Sequence, residues 1–247
     1  MSNIYVTPTE EGIYQLKIVA PENGNRLSQE LCAEFLTALA SLTGEPSLKV
    51  LILTGGKDVF CAGATLEMLK QISIGSADVK DLLLPEKILS FPAPVIGALE
   101  GHAVGGGLTL ALCCDILVAS ESSRYGVNFT NMGFTPGMGT TSLLPVLAGH
   151  HFASEMILTG KLYKGRELRE RGLFNYVVPR EEVMEVALDI ARRIAEKPRH
   201  VLEMLKNTLS LPRRQALQEA MFREHLMHKI CFSRPDTAAH IEAAYLA

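Results

Sequence analysis

A chain of 247 residues with a hydrophobic fraction of 47% and a formal net charge of −3 has room for a sizeable core and carries no basic footprint for nucleic acid. No apolar run is long enough to span a bilayer. The five cysteines are an odd number, form no Cys-x-x-Cys pair and have no histidine at ligand spacing, so they read as reduced, buried thiols rather than as a disulfide framework or a metal site.

Met-Ser-Asn-Ile-Tyr-Val-Thr-Pro at the N-terminus lacks a basic and an apolar region, and a cytoplasmic protein is expected. Ile13 to Ile18 alternates as a strand, and Pro21-Glu22-Asn23-Gly24-Asn25 supplies turn chemistry. Ser28 is the expected N-cap of an amphipathic helix carrying Leu31, Phe35, Leu36, Leu39 and Leu42 as far as Gly44. A strand follows over 48–55, then the small-residue turn Val59-Phe60-Cys61-Ala62-Gly63-Ala64 and a helix from Leu66. Ser73 to Asp78 has no periodicity and reads as a lid-like loop, with helical spacing again over 82–89.

Pro94 to Leu99 reads as a buried strand that runs through Gly105, Gly106 and Gly107 into a Leu/Ala-rich helix. Backbone exposed at a helix start suits an anion, whether a phosphate or a thioester enolate oxygen, and it equally suits a tight packing turn. Asp115 to Ser120 is a further strand, Gly133 to Gly139 a loop, and Tyr176-Val177-Val178 a late strand signal. Helical patterns cover 181–195 and 212–231. Alternating strands and helices define an α/β body with a helical C-terminal extension.

The two glycine turns, Phe60-Cys61-Ala62-Gly63-Ala64 and Gly101-His102-Ala103-Val104-Gly105-Gly106-Gly107, followed by Pro136-Gly137-Met138-Gly139 and the helical tail, resemble the crotonase (enoyl-CoA hydratase/isomerase) superfamily over nearly the whole chain. That resemblance implies a ββα spiral core over 1–190, a C-terminal helical trimerisation region over 191–247, and an oxyanion hole from the backbone N–H groups of Ala64 and Gly106. The two glutamates of the family's hydratases are replaced by Thr109 and Phe129, neither of which is a carboxylate base. The segment from Asn128 to Gly139, with Glu224-His225-Leu226-Met227-His228, resembles the decarboxylase branch used in polyketide β-branching. Its members convert a 3-methylglutaconyl thioester on an acyl carrier protein to a 3-methylcrotonyl thioester.

By that resemblance His228 is the catalytic histidine, with His225 as its neighbour one turn earlier. Lys80 is the preferred carboxylate-binding lysine, with Lys70 as its rival. Ala62, Thr109, Phe129 and Phe134 are the remaining substrate-binding candidates, and His102 reads as a loop histidine that holds its turn. No metal and no cofactor is implied beyond the phosphopantetheine of an acyl carrier protein, or coenzyme A, that carries the substrate. The expected partners are that carrier protein and two further copies of the chain, with Arg26, Lys70 and Arg166 as candidates for a local basic patch. Two other readings stay open: a coenzyme A-thioester hydratase or isomerase with rearranged acid/base groups, and a non-catalytic acyl-thioester-binding protein.

Overall fold

The computed structural model describes residues 2–77 and 82–246. The chain opens with the hairpin β1 (Ile4–Glu10) and β2 (Ile13–Ile18), and the first of these strands lies in a stretch without a clear strand pattern of its own. Helix α1 (Gln29–Thr43) is capped by Ser28, whose hydroxyl accepts from the Leu31 N–H at 3.1 Å. Three strand pairs then repeat one plan. β3 (Val50–Thr54) and β4 (Val59–Cys61) lead to α2 (Leu66–Ser73). After α3 (Leu84–Leu89), β5 (Val95–Leu99) and β6 (His102–Val104) lead to α4 (Gly106–Leu112). The third pair is β7 (Ile116–Ser120) and β8 (Arg124–Gly126).

In each pair the first strand joins a large sheet that ends on β10 (Tyr176–Val178), of order β1-β2-β3-β5-β7-β10 and parallel from β2 onward, and the second joins a small sheet that ends on β9 (Tyr163–Lys164), of order β4-β6-β8-β9. This repeated step from one sheet to the other is the ββα spiral, and it brings the starts of α2 and α4 together.

The large sheet is buried on both faces, and alternation along each strand divides its side chains. Val50, Ile52, Ile96, Ala98 and Val118 meet Val183, Ala187 and Ala191, the four-residue stripe of α8 (Val183–Ala195). Leu51, Leu53, Val95 and Leu99 face the opposite way into the main core with α1, α3 and α4.

The tail departs from the sequence expectation. Rather than beginning at Pro212, α9 runs unbroken from Arg199 to Phe232 with Pro212 inside it. Proline removes one helical hydrogen bond and crowds the preceding turn, but anchors stand on both sides of it. The Lys206 ammonium and the Arg213 guanidinium each lie 2.6 Å from a different Asp115 carboxylate oxygen. Arg213 also donates to the Cys114 carbonyl at 2.7 Å, and the Val95 N–H donates to Asp115 at 2.9 Å. Burial pushes the Lys206 ammonium below its usual pKa, and the carboxylate beside it opposes that shift. The final helix α10 (Pro235–Leu246) folds back over the start of α2. The outer face of α9 leaves Met204, Leu209, Phe222, Leu226 and Ile230 exposed on the single chain.

Candidate active site

The site begins where residue 27 pairs with residue 64. The Leu27 N–H donates to the Gly63 carbonyl at 2.7 Å, and the Leu27 carbonyl accepts from the Thr65 N–H at 2.9 Å, a short parallel bridge. In extended pairing, neighbouring residues turn their polar groups to opposite sides. The Ala64 N–H and C=O therefore face away from Leu27. The carbonyl accepts from the Tyr245 hydroxyl at 2.5 Å, and the N–H has no backbone partner among the described residues.

Opposite stands the first turn of α4, whose leading N–H groups have no carbonyl four residues back. Gly105 enters it at φ 57°, a conformation that side chains disfavour, after its own N–H has donated to Gly126 at 2.8 Å. Gly107 answers the packing alternative: a Cβ there would lie 2.0 Å from the Cys61 carbonyl oxygen. One glycine run thus serves two purposes, close packing at Gly107 and an open N–H at Gly106.

Between the two turns lies a cavity of about 170 Å³ lined by Ala62, Gly63, Ala64, Gly105 and Gly106, with Phe129, Met132 and Phe134 as its apolar wall and Arg26 and Tyr245 at its side. Two backbone N–H groups facing one small, largely apolar space can stabilise an oxygen that becomes negative in a transition state. His228 lines an adjoining cavity of about 430 Å³ with His225, Ile72, Ile74 and Phe232. Phe134 belongs to both regions, because its ring packs edge-on against Phe129, with centroids 5.8 Å apart, and against His228, at 6.1 Å.

His228 is buried, and its Nε2 lies 2.7 Å from the Thr135 carbonyl oxygen. A carbonyl only accepts, so Nε2 carries the proton and Nδ1 is the basic nitrogen of the neutral ring. One turn earlier on α9, Glu224 grips the same loop. Its carboxylate accepts from the Gly139 N–H at 2.7 Å, the Thr141 N–H at 2.9 Å and the Thr141 hydroxyl at 2.7 Å. Burial raises the Glu224 pKa, and these donors pull it back. A Glu224→Ala variant strands these donors and should lose about 2–3 kcal/mol of unfolding free energy in urea titration. A loss below about 0.5 kcal/mol would show that the loop holds itself.

Several candidates fall elsewhere than expected. Thr109 reaches no cavity. It is fully buried, with its hydroxyl 2.6 Å from that of Thr140, which in turn donates to the Gly137 carbonyl at 2.7 Å. The Thr109 hydroxyl also lies 3.2 Å from the Gly105 carbonyl oxygen, to which it can donate, so the two hydroxyls are enclosed between the carbonyls of Gly105 and Gly137. A threonine pair thereby stands at the position where the resemblance to hydratases expects a glutamate.

Lys70 is half-exposed and pairs with Glu242 at 2.9 Å instead of entering either cavity. Lys80 and the end of the lid-like loop lie outside the described residues. The His102 Nδ1 accepts from the Arg124 N–H at 2.9 Å and ties β6 to β8, while desolvation holds its pKa below the usual value. Arg26, Lys70 and Arg166 do not form one patch, since Arg166 lines a separate depression with Glu121, Glu167 and Glu170. Cys32, Cys61 and Cys113 are buried thiols pushed up to about 12 by desolvation, which suits packing and not nucleophilic work. Sequence reading missed Glu224 and Tyr245 as parts of the site. Four-residue spacing to His228 could have signalled the first, and no local pattern marks the second.

A two-sheet ββα spiral with two glycine turns meeting at one cavity defines a protein of the crotonase fold. The chain belongs to the enoyl-CoA hydratase/isomerase family, whose model matches residues 8–244. It is 36% identical to the bacillaene synthase decarboxylase PksI of Bacillus subtilis (strain 168), over 96% of this chain and 95% of that protein. A solved structure from a dehydratase/decarboxylase enzyme couple involved in polyketide β-branching superposes with a TM-score of 0.95 at 36% identity, covering 99% of both chains. The ECH2 decarboxylase domain of CurF from Lyngbya majuscula gives 0.90 at 33% identity, covering 99% of this chain and 100% of that one.

Proposed function

We propose that this protein decarboxylates a 3-methylglutaconyl thioester carried on an acyl carrier protein, giving a 3-methylcrotonyl thioester during polyketide β-branching. The observation that carries this reading is the cavity between the Ala64 and Gly106 turns, which suits an oxyanion and has Phe129 in its wall, while Thr109, at the other position where the resemblance expects a carboxylate, is buried against Thr140. Its likeness in sequence and shape to decarboxylases of β-branching supports the same choice.

In this substrate the bond from C4 to the departing carboxylate lies allylic to the double bond conjugated with the thioester. When that bond breaks, its electron pair flows through C3 and C2 to the thioester oxygen, leaving CO₂ and a dienolate. The Ala64 and Gly106 N–H groups stabilise that oxygen as it becomes negative, and no base is needed to remove a carbon-bound proton. A proton delivered to C4 completes the product, and the imidazolium of His228, protonated at Nδ1, supplies it. Phe129 and Phe134 form an apolar wall that weakens hydration of the carboxylate before it leaves, while the lysine, Lys80 in preference to Lys70, orients it. The phosphopantetheine arm enters beside Arg26, and the exposed apolar face of α9 is covered by further copies in a homotrimer.

Intact-mass measurement on carrier protein loaded with the 3-methylglutaconyl group tests the reading. The expected result is a loss equal to CO₂. A gain equal to water would establish a hydratase, and an unchanged mass would leave a binding protein.

A further inference from the structure

We infer that Tyr245, from the terminal helix of the same chain, is a positioning residue of the oxyanion hole, holding residue 64 by its carbonyl on the side from which its N–H faces the cavity. The inference rests on reading Ala64 and Gly106 as the donors to the thioester oxygen, and it adds a residue that neither the glycine turns nor the histidine implies.

Ala64 lies in a turn between β4 and α2, outside both strand and helix. Gly63 before it adopts φ 89°, so the local backbone is not held by regular structure. Leu27 fixes one side through the Gly63 carbonyl and the Thr65 N–H. On the other side the only side-chain bond to the Ala64 backbone, among the described residues, comes from the Tyr245 hydroxyl at 2.5 Å. The Gly63–Ala64 peptide, which presents the N–H, is tied to Leu27 through the Gly63 carbonyl, and the Ala64–Thr65 peptide is tied to Leu27 through the Thr65 N–H and to Tyr245 through the Ala64 carbonyl, so the hydroxyl opposes swinging of residue 64 about its Leu27 bonds and keeps the N–H aimed at the cavity. Removing the hydroxyl frees one side of that clamp.

Tyr245 is itself held. The Arg26 guanidinium stands over its ring, 5.0 Å from the centroid, and Glu242 one turn earlier on α10 pairs with Lys70 of α2. Ile241 and Thr237, on the inner side of α10, are buried. Ala244 and Tyr245 also line the cavity, so the hydroxyl acts at the reacting end of the site.

Tyr245→Phe and Tyr245→Ala separate the hydroxyl from the ring. If Tyr245 positions the donor, Tyr245→Phe lowers kcat about ten-fold or more with little change in KM, because a misaimed donor weakens only the charge that develops in the transition state. Difference Raman spectra of bound 3-methylcrotonyl pantetheine carry the decisive signature. Its carbonyl stretch should lie below the free value in the parent protein and return toward it in Tyr245→Phe. Activity and stretch unchanged in Tyr245→Phe, with loss only in Tyr245→Ala, would reduce Tyr245 to a cover for the cavity and overturn the inference. A parent protein that leaves the stretch unshifted would overturn the oxyanion reading and this inference together, whereas a shift in the parent that persists in Tyr245→Phe overturns this inference alone.

Discussion

His228→Ala is expected to decarboxylate at least about a hundred-fold more slowly than the parent protein while still binding the acyl thioester, the lower end of what a positioned proton donor contributes. The separation follows from geometry. His228 lines one cavity, the backbone donors line the other, and Phe134 lies between them, so truncating the imidazole leaves the carbonyl site in place. His228→Gln sharpens the comparison. Its amide can still donate to the Thr135 carbonyl but cannot supply an acidic proton at neutral pH, so it should fail as His228→Ala does. CO₂ release from saturating loaded carrier protein checks both variants. Retention of most activity by His228→Gln would make the histidine a structural tie to the loop.

The largest effect on stability is expected at Asp115, far from the chemistry. Asp115→Ala should cost about 3–5 kcal/mol, because it leaves the Lys206 ammonium and the Arg213 guanidinium buried without their counter-charge. Lys206 is the more exposed to this loss, since burial already disfavours its charged form. The consequence reaches the site through α9, which carries Glu224 and His228 beyond Pro212. Urea unfolding monitored by circular dichroism measures the change, and a shift under about 1 kcal/mol would show that solvent reaches the cations and compensates them.

Local chemistry made much of this legible. The Ser28 cap, the strand at Ile13 to Ile18 and the two glycine turns each declare themselves within a few residues, and the structure places them as read. Other parts depend on partners distant in sequence. β6 and β8 have three residues each and exist because they pair with each other, β6 also with β4 and β8 also with β9, so His102 to Val104 reads locally as a turn. Pro212 reads as a helix start because the paired cations that bridge it meet an aspartate almost a hundred residues away. Thr109 reads as a substrate contact because its position matches a catalytic one, while in the fold its hydroxyl is enclosed with that of Thr140. Tyr245 reaches Ala64 across 181 residues, a contact that no periodicity encodes.

The threonine pair beneath α4 also bears on how such proteins change chemistry over time. A carboxylate introduced at position 109 would enter a fully enclosed space and meet the carbonyl oxygens of Gly105 and Gly137, which already face the two hydroxyls. Position 140 would have to change as well, and with it the start of α5 (Thr140–Ala148) that Glu224 secures. A carboxylate at position 109 therefore calls for a coordinated change at position 140 rather than a single replacement.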